Sequence, residues 1–191
     1  MGQKMIDEND LWVLSYYRVS EISGALFFGR IARSVKPGAI QHDLTKHFSD
    51  EALHAWYWTD CLERLGEKPL KLQEAYQDQY LSAAGLPANI MEILAITQVF
   101  EQRVIQQYAR HSQIPDLQIP VLETLQKIMI DEKWHIQWVS DALRNLAPEF
   151  GKDLIDQTIQ RYRQADQEVY SKTLLEHEER IVHLLEKRGG K

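Results

Sequence analysis

Apolar residues recur every three or four positions along most of this chain, and glycine and proline mark the gaps between the runs. Leu14, Tyr17, Ile22, Ala25 and Phe28 form one such stripe; Leu125, Ile128, Met129, Ile136 and Val139 form another. That spacing is the signature of a helix with one buried face, and no segment shows a period-two alternation worth reading as a strand. The breakers fall in "KPG" at 36–38, "GEKP" at 66–69, "GLP" at 85–87, "IPDLQIP" at 114–120 and "APEFG" at 147–151. The pattern predicts four long helices, about Asp10 to Val35, Ala39 to Leu65, Ala88 to His111 and Ile119 to Leu146. The joints after the first and third are short, so each pair reads as an antiparallel hairpin. The roughly twenty residues between the second and third are enough for a crossover running back along the bundle. From Pro148 to Arg188 the apolar positions Leu154, Ile155, Ile159, Tyr162, Val169, Tyr170 and Leu174 predict a fifth helix, whole or broken in two. It is expected to pack on the bundle or on a second subunit as an ordinary amphipathic element. The expected fold is all-α: a four-helix bundle of two hairpins joined by a long crossover, with an additional C-terminal helix. Residues 1–191 read as a single domain, with the bundle in 8–146 and the additional segment in 147–191.

Composition narrows the function. A chain of 191 residues, 44% hydrophobic and 26% charged, is long enough to bury a substantial core and unlike a disordered tail. The net charge of -6 and the lack of any basic run give no electrostatic footprint for nucleic acid. The N-terminal "MGQKMIDEND" holds no apolar stretch for a secretory signal, and no segment approaches a membrane span, so a cytoplasmic location is the expectation. Cys61 is the only cysteine, which excludes an internal disulfide and a thiolate metal cluster. Spaced seven residues beyond His54, it reads as a small buried hydrophobe. Any metal must be held by carboxylates and imidazoles.

Two segments, "SDEALHAWYW" at 49–58 and "IDEKWHIQWV" at 130–139, carry the same phrase, Asp-Glu-x-x-His. On a helix, residues three apart share a face, so Glu51 with His54 and Glu132 with His135 each present a carboxylate and an imidazole together. With 16 Glu, 12 Asp and 7 His in the chain, random placement yields roughly 0.04 such phrases, and two of them about once in a thousand chains. A helical bundle completes a two-metal centre by adding one inward Glu from each of the other two helices. Glu21 is the one glutamate of the first predicted helix, and Glu101 lies among Leu94, Val104 and Tyr108 in the third. Depth agrees. Glu21 is sixteen residues before Pro37 and Glu51 fourteen after it, while Glu101 is fourteen before Pro115 and Glu132 seventeen after it. At about 1.5 Å per residue each hairpin levels its ligands to within a few ångströms. If this holds, Glu21 and Glu101 point inward and the two histidines lie within about 10 Å of each other. A metal-bound imidazole usually gives its other N–H to a carboxylate, and an Asp one residue before the Glu can reach a neighbouring helix. Asp50 is therefore expected to orient His135, and Asp131 to orient His54.

The set Glu21, Glu51, His54, Glu101, Glu132 and His135 resembles the ligands of the ferritin-like di-iron carboxylate proteins, and "DEKWHIQW" is similar to the fourth-helix motif of bacterioferritins. The likeness spans about residues 8 to 146 and extends to rubrerythrins and bacterial multicomponent monooxygenases. It implies two iron ions, with manganese as the alternative, bridged by Glu51 and Glu132 and capped by Glu21 and Glu101, reacting with O2 or H2O2. Departures narrow the choice. Gln98 or Thr97 stands where rubrerythrins carry an additional glutamate, and Ala52 stands where bacterioferritins place the haem methionine. The forty or so residues after Leu146 would be awkward in a ferritin cage. The resemblance thus implies a stand-alone, non-haem di-iron oxidase or oxygenase. Such an enzyme would act on a small organic substrate, take electrons from an external donor and form a homodimer. The alternative is an iron-storage, ferroxidase or peroxide-detoxifying protein. Tyr17, Trp58, Tyr108 and His47 are candidate pocket residues, with Tyr17 the candidate for radical or hydrogen-bond chemistry.

Overall fold

The computed structural model describes residues 6–72, 80, 83–173 and 175–189. Among them there are six helices and no strand: α1 Glu8–Ser34, α2 Ala39–Arg64, α3 Ile90–His111, α4 Ile119–Phe150, α5 Lys152–Thr173 and α6 Leu175–Gly189. None of the described helices is long and apolar enough to cross a membrane.

The ends of these helices follow local chemistry. Asp7 accepts hydrogen bonds from the backbone N–H groups of Asn9 at 2.9 Å and Asp10 at 3.0 Å, and the Asp10 carboxylate accepts from the Asp7 N–H at 3.1 Å. This reciprocal cap starts α1 two residues before the predicted Asp10. The fourth helix runs past its predicted end at Leu146, through Pro148 to Phe150. Proline removes one N–H and so weakens a single backbone bond near the helix end. Gly151, at φ 83°, then ends the helix with its own N–H on the Ala147 carbonyl at 2.9 Å.

Contacts across the interior give the topology. Arg18 reaches Thr59 while Phe28 stacks on His47, so α1 and α2 are antiparallel. His54 with Asp131 and Arg64 with Glu123 make α2 and α4 antiparallel. Tyr17 with His111 and Phe27 with Phe100 do the same for α1 and α3. Helices α2 and α3 therefore point the same way, which obliges the connection between them to travel back along the molecule. Part of the crossover expected there, residues 73–79 and 81–82, lies outside the described residues. The described parts touch α1, where Leu70 N–H meets Ser15 Oγ, and α5, where Tyr80 meets the Tyr162 carbonyl.

The C-terminal segment is two helices packed on these four. Helix α5 is tied to α3 by the Arg103–Asp166 ion pair. Helix α6 is tied to α1 by Arg188–Asp10 and by Lys187–Asp7 at 2.8 Å, and to α3 by Arg110–Glu178. Burial of Ile181 and Leu184 seats its apolar face.

Candidate metal centre

Midway along α1 to α4 the interior ceases to be apolar. Glu21, Glu51, Glu101 and Glu132 are 4%, 5%, 3% and 0% exposed, and His54 and His135 are 0% exposed. Each of the four helices thus delivers a glutamate inward, and α2 and α4 each add a histidine one turn later, as three-residue spacing requires. The imidazole centroids of His54 and His135 are 5.7 Å apart. His54 Nδ1 lies 3.6 Å from Glu21 Oε2 and 3.4 Å from Glu132 Oε1. His135 Nδ1 lies 3.6 Å from Glu101 Oε2, 3.6 Å from Glu51 Oε1 and 3.3 Å from Glu132 Oε2. Glu132 therefore turns one oxygen toward each imidazole. Two buried groups could each hold a metal ion: Glu21, Glu51, His54 and Glu132, and His47, Glu51, Glu101 and His135. Glu51 belongs to both.

Proton placement shows what the imidazoles offer. His54 Nε2 is 3.2 Å from Asp131, and His135 Nε2 is 3.3 Å from Asp50. Each aspartate thus serves the histidine of the other motif. Burial works against ionising Asp50, but His135 and Lys46 outweigh it and hold the carboxyl below its ordinary range. An ionised carboxylate can only accept, so Nε2 of each imidazole carries the hydrogen. Both Nδ1 atoms then face the glutamates with a lone pair when the ring is neutral. His54 Nδ1 and Glu132 Oε1 are buried without any hydrogen bond. Buried polar atoms are rarely left so, and a cation between them would satisfy both.

His47 was expected to line a pocket, yet its ring stacks on His135 at 3.7 Å, with Nε2 3.2 Å from both Glu51 Oε1 and Glu101 Oε1. The Trp138 indole N–H donates to its Nδ1 at 3.3 Å. Burial disfavours a charged His47 and the Glu101 and Glu51 carboxylates favour one, with a net upward pull on its pKa. An imidazolium, however, would set its own Nδ1–H against the Trp138 donor. The neutral Nε2–H form suits Trp138 and turns its hydrogen toward the two glutamates, with which Nε2 makes close contact but no well-aligned hydrogen bond. On this logic His54 and His135 present lone pairs to the centre, whereas His47 presents a hydrogen.

The acids respond to burial unequally. Burial, with the Glu21 charge beside it, pushes Glu51 up to about 8. Burial would also raise Glu101, but His47 and His135 hold it well below the usual carboxylate range. Burial opposes charging His54, and Asp131, Glu132 and Glu21 more than reverse this. His135 is likewise pushed up to about 12 by Asp50, Glu101 and Glu132 against its burial. Without metal, protons on these imidazoles offset the acids; unpaired charges so buried would be prohibitive.

The candidate tyrosines divide their roles. Tyr108 donates its hydroxyl hydrogen to Glu21 Oε1 and accepts from the Trp58 indole N–H at 3.2 Å. The Tyr17 hydroxyl meets not a glutamate but His177 Nε2 of α6, at 3.0 Å. Gly24, which the sequence reading missed, is one turn beyond Glu21, and a Cβ built there would run into Glu51 Oε2. A glycine inside a helix destabilises it by about 1 kcal/mol relative to alanine, a signal that some close approach needs it. Cys61 is fully buried. Beside the acids lies a cavity of about 20 Å³ walled by Tyr17, Glu21, Gly24, Glu51, Glu101, Tyr108 and Glu132 among others. That is room for one water-sized molecule.

No family model, curated protein or solved structure matches the chain. Among the described residues the protein is all-helical, with two adjoining buried His/Glu groups able to hold metal ions.

Proposed function

We propose that the chain is a ferritin-like di-iron oxidoreductase, with its centre in a bundle formed by α1 to α4, that reduces O2 or peroxide while oxidising a small organic substrate. The observation that carries this reading is the pair of inward Nδ1 atoms, each set by an outward aspartate and each facing buried glutamates contributed by other helices. Glu21 and His54 would hold one ion and Glu101 and His135 the other, with Glu51 and Glu132 shared. Mixed carboxylate and imidazole donors suit iron or manganese better than calcium or magnesium, which prefer all-oxygen shells. When bound, such a pair supplies two electrons jointly to an oxygen species. The protein's part is then positional. Asp50 and Asp131 fix the imidazole tautomers, Tyr108 holds Glu21 by hydrogen bonding, Trp138 keeps the His47 hydrogen on Nε2, and Gly24 makes room for the Glu51 carboxylate.

The small cavity favours a second reading. A space of about 20 Å³ is too small for an organic molecule, so a ferroxidase or peroxide-removing protein, whose substrates are Fe(II), O2 and H2O2, also fits. Aerobic addition of Fe(II) to metal-free protein tests both, following bound iron, optical absorption and oxygen uptake. About two irons per chain with oxygen uptake and a dimeric protein supports the enzyme. A hollow cage that takes up far more iron supports storage. No iron binding sinks both.

A further inference from the structure

From the Glu21 carboxylate a continuous run of aromatic rings leads out of the interior. Tyr108, bonded to Glu21, meets Tyr17 edge-on with centroids 4.8 Å apart. Tyr17 is 6.1 Å from Tyr16, and Tyr16 stacks on Trp12 at 5.2 Å with the rings 6° from parallel. Tyr108 and Tyr17 are 2% and 1% exposed and Tyr16 is 7% exposed, whereas Trp12 is only half-buried, with the Arg180 guanidinium 4.7 Å over its ring. Three of the four rings come from α1, Trp12 one turn before the adjacent Tyr16 and Tyr17, so the run is written into one helix, and α6 covers it with His177 and Arg180.

One contact goes beyond packing. The Tyr17 hydroxyl is 3.0 Å from His177 Nε2, and His177 is 1% exposed. Removing an electron from a buried phenol is feasible only if its proton has somewhere to go, because a phenol radical cation is a very strong acid. Burial and the nearby Arg110 hold His177 far down, at about 3, so it rests as a neutral base. Burial likewise holds Tyr17 well above its ordinary value, so its proton does not leave unaided.

We propose that Tyr108, Tyr17, Tyr16 and Trp12 form an electron relay between the metal centre and the α1–α6 surface, with His177 the proton acceptor for Tyr17 and a one-electron reductant acting at Trp12. This rests on the oxidoreductase reading and deepens it by stating where electrons enter. In each transfer one electron leaves Tyr17 toward the centre, its O–H bond breaks, and the proton moves to His177 Nε2. An electron arriving through Tyr16 from Trp12 restores the phenolate, the proton returns, and the external reductant refills Trp12. Two such electrons, with two protons from solvent, reduce one peroxide to two waters. The relay also fits the small cavity, since the reductant need not enter the centre.

The test uses full-length, Fe(II)-loaded protein mixed with H2O2 in the absence of reductant. Freeze-quench electron paramagnetic resonance reads organic radicals, and peptide mass spectrometry reads oxygen additions. The wild type is expected to give a tyrosyl or tryptophanyl signal and to accumulate oxidation at Trp12. Tyr17→Phe and, separately, His177→Phe should bind iron as the wild type does. Both should cut Trp12 oxidation about tenfold or more, equivalent to about 1.4 kcal/mol in barrier. Trp12→Phe, at the half-exposed end, should instead shift the marks back to Tyr16 and Tyr17. Trp12 oxidation unchanged in Tyr17→Phe overturns the relay. So does a wild type that binds iron and consumes peroxide yet forms no organic radical, an outcome that leaves the oxidoreductase reading standing. Protein that binds no iron sinks that reading, and the relay with it.

Discussion

Four of the buried histidines of this protein form two pairs that behave in opposite ways. His54 and His135, near the middle of α2 and α4, are 0% exposed; His111 and His177, where α3 and α6 meet, are 0% and 1% exposed. Burial alone disfavours the imidazolium, and in the second pair nothing reverses it. His111, near His177 and Arg188, and His177, near Arg110, are both pulled down to about 3. In the first pair carboxylates approach both ring nitrogens and the direction inverts. What differs is neither residue type nor depth but the charge of the neighbours. The first pair is built to hold a cation, whether proton or metal, and the second to stay neutral.

The comparison breaks most completely at Glu132, which turns an oxygen toward each imidazole of the first pair. Glu132→Ala should leave at most one tightly bound ion across the two groups, as measured by elemental analysis after equilibrium dialysis. Retention of both would show that Glu132 is not shared. Next in size are Asp131→Asn and Asp50→Asn, each expected to weaken metal binding about 10- to 100-fold by releasing the tautomer of its imidazole. Calorimetric titration checks this, and unchanged affinity would mean that the aspartates are bystanders. Gly24→Ala forces the Glu51 carboxylate aside and should lower stability by about 1–3 kcal/mol, with weaker metal binding. Urea denaturation and the same titration read the two effects.

Acidity sharpens the contrast without any mutation. For His111 and His177 the folded pKa lies below the unfolded value, so the unfolded chain takes up protons that the folded one refuses. Stability therefore falls as pH drops from about 6.5 toward 3, by up to about 1.4 kcal/mol per unit for each histidine. For His54 and His135 the folded pKa lies above the unfolded one. Their contribution is whole below about 6.5 and is lost as pH rises toward the folded values. Denaturant titrations of metal-free protein should show both flanks. Metal-loaded protein should keep the acid flank and lose the alkaline one, because a metal has replaced the protons. An alkaline flank that metal leaves untouched would separate the first pair from metal binding.

Much of this arrangement is legible in the sequence. The 3.6-residue period and the glycine and proline clusters give four of the helices to within a few residues. The doubled Asp-Glu-x-x-His phrase and the depth arithmetic single out six side chains that do converge. Other features depend on three-dimensional neighbours. His47 is one turn from Glu51 on the same face, but only the position of Trp138 decides which of its nitrogens carries the hydrogen. Pro148 reads as a stop, yet a proline near a helix end disrupts little, and Gly151 ends α4 instead. Tyr17 and Tyr108 look interchangeable in the periodic pattern. Their hydroxyls part ways because α6, nearly seventy residues further on than Tyr108, brings His177 to one of them and Glu21 of α1 meets the other.

The most direct test of the centre is crystallographic: crystals of the protein soaked in Fe(II) without oxygen, with data collected on both sides of the iron absorption edge. Two anomalous peaks are expected, one at His54 Nδ1 and Glu21, the other at His135 Nδ1 and Glu101, both within reach of Glu51 and Glu132. No peak between these side chains, or iron on the aspartate-facing Nε2 atoms or at His111 and His177, would contradict this arrangement.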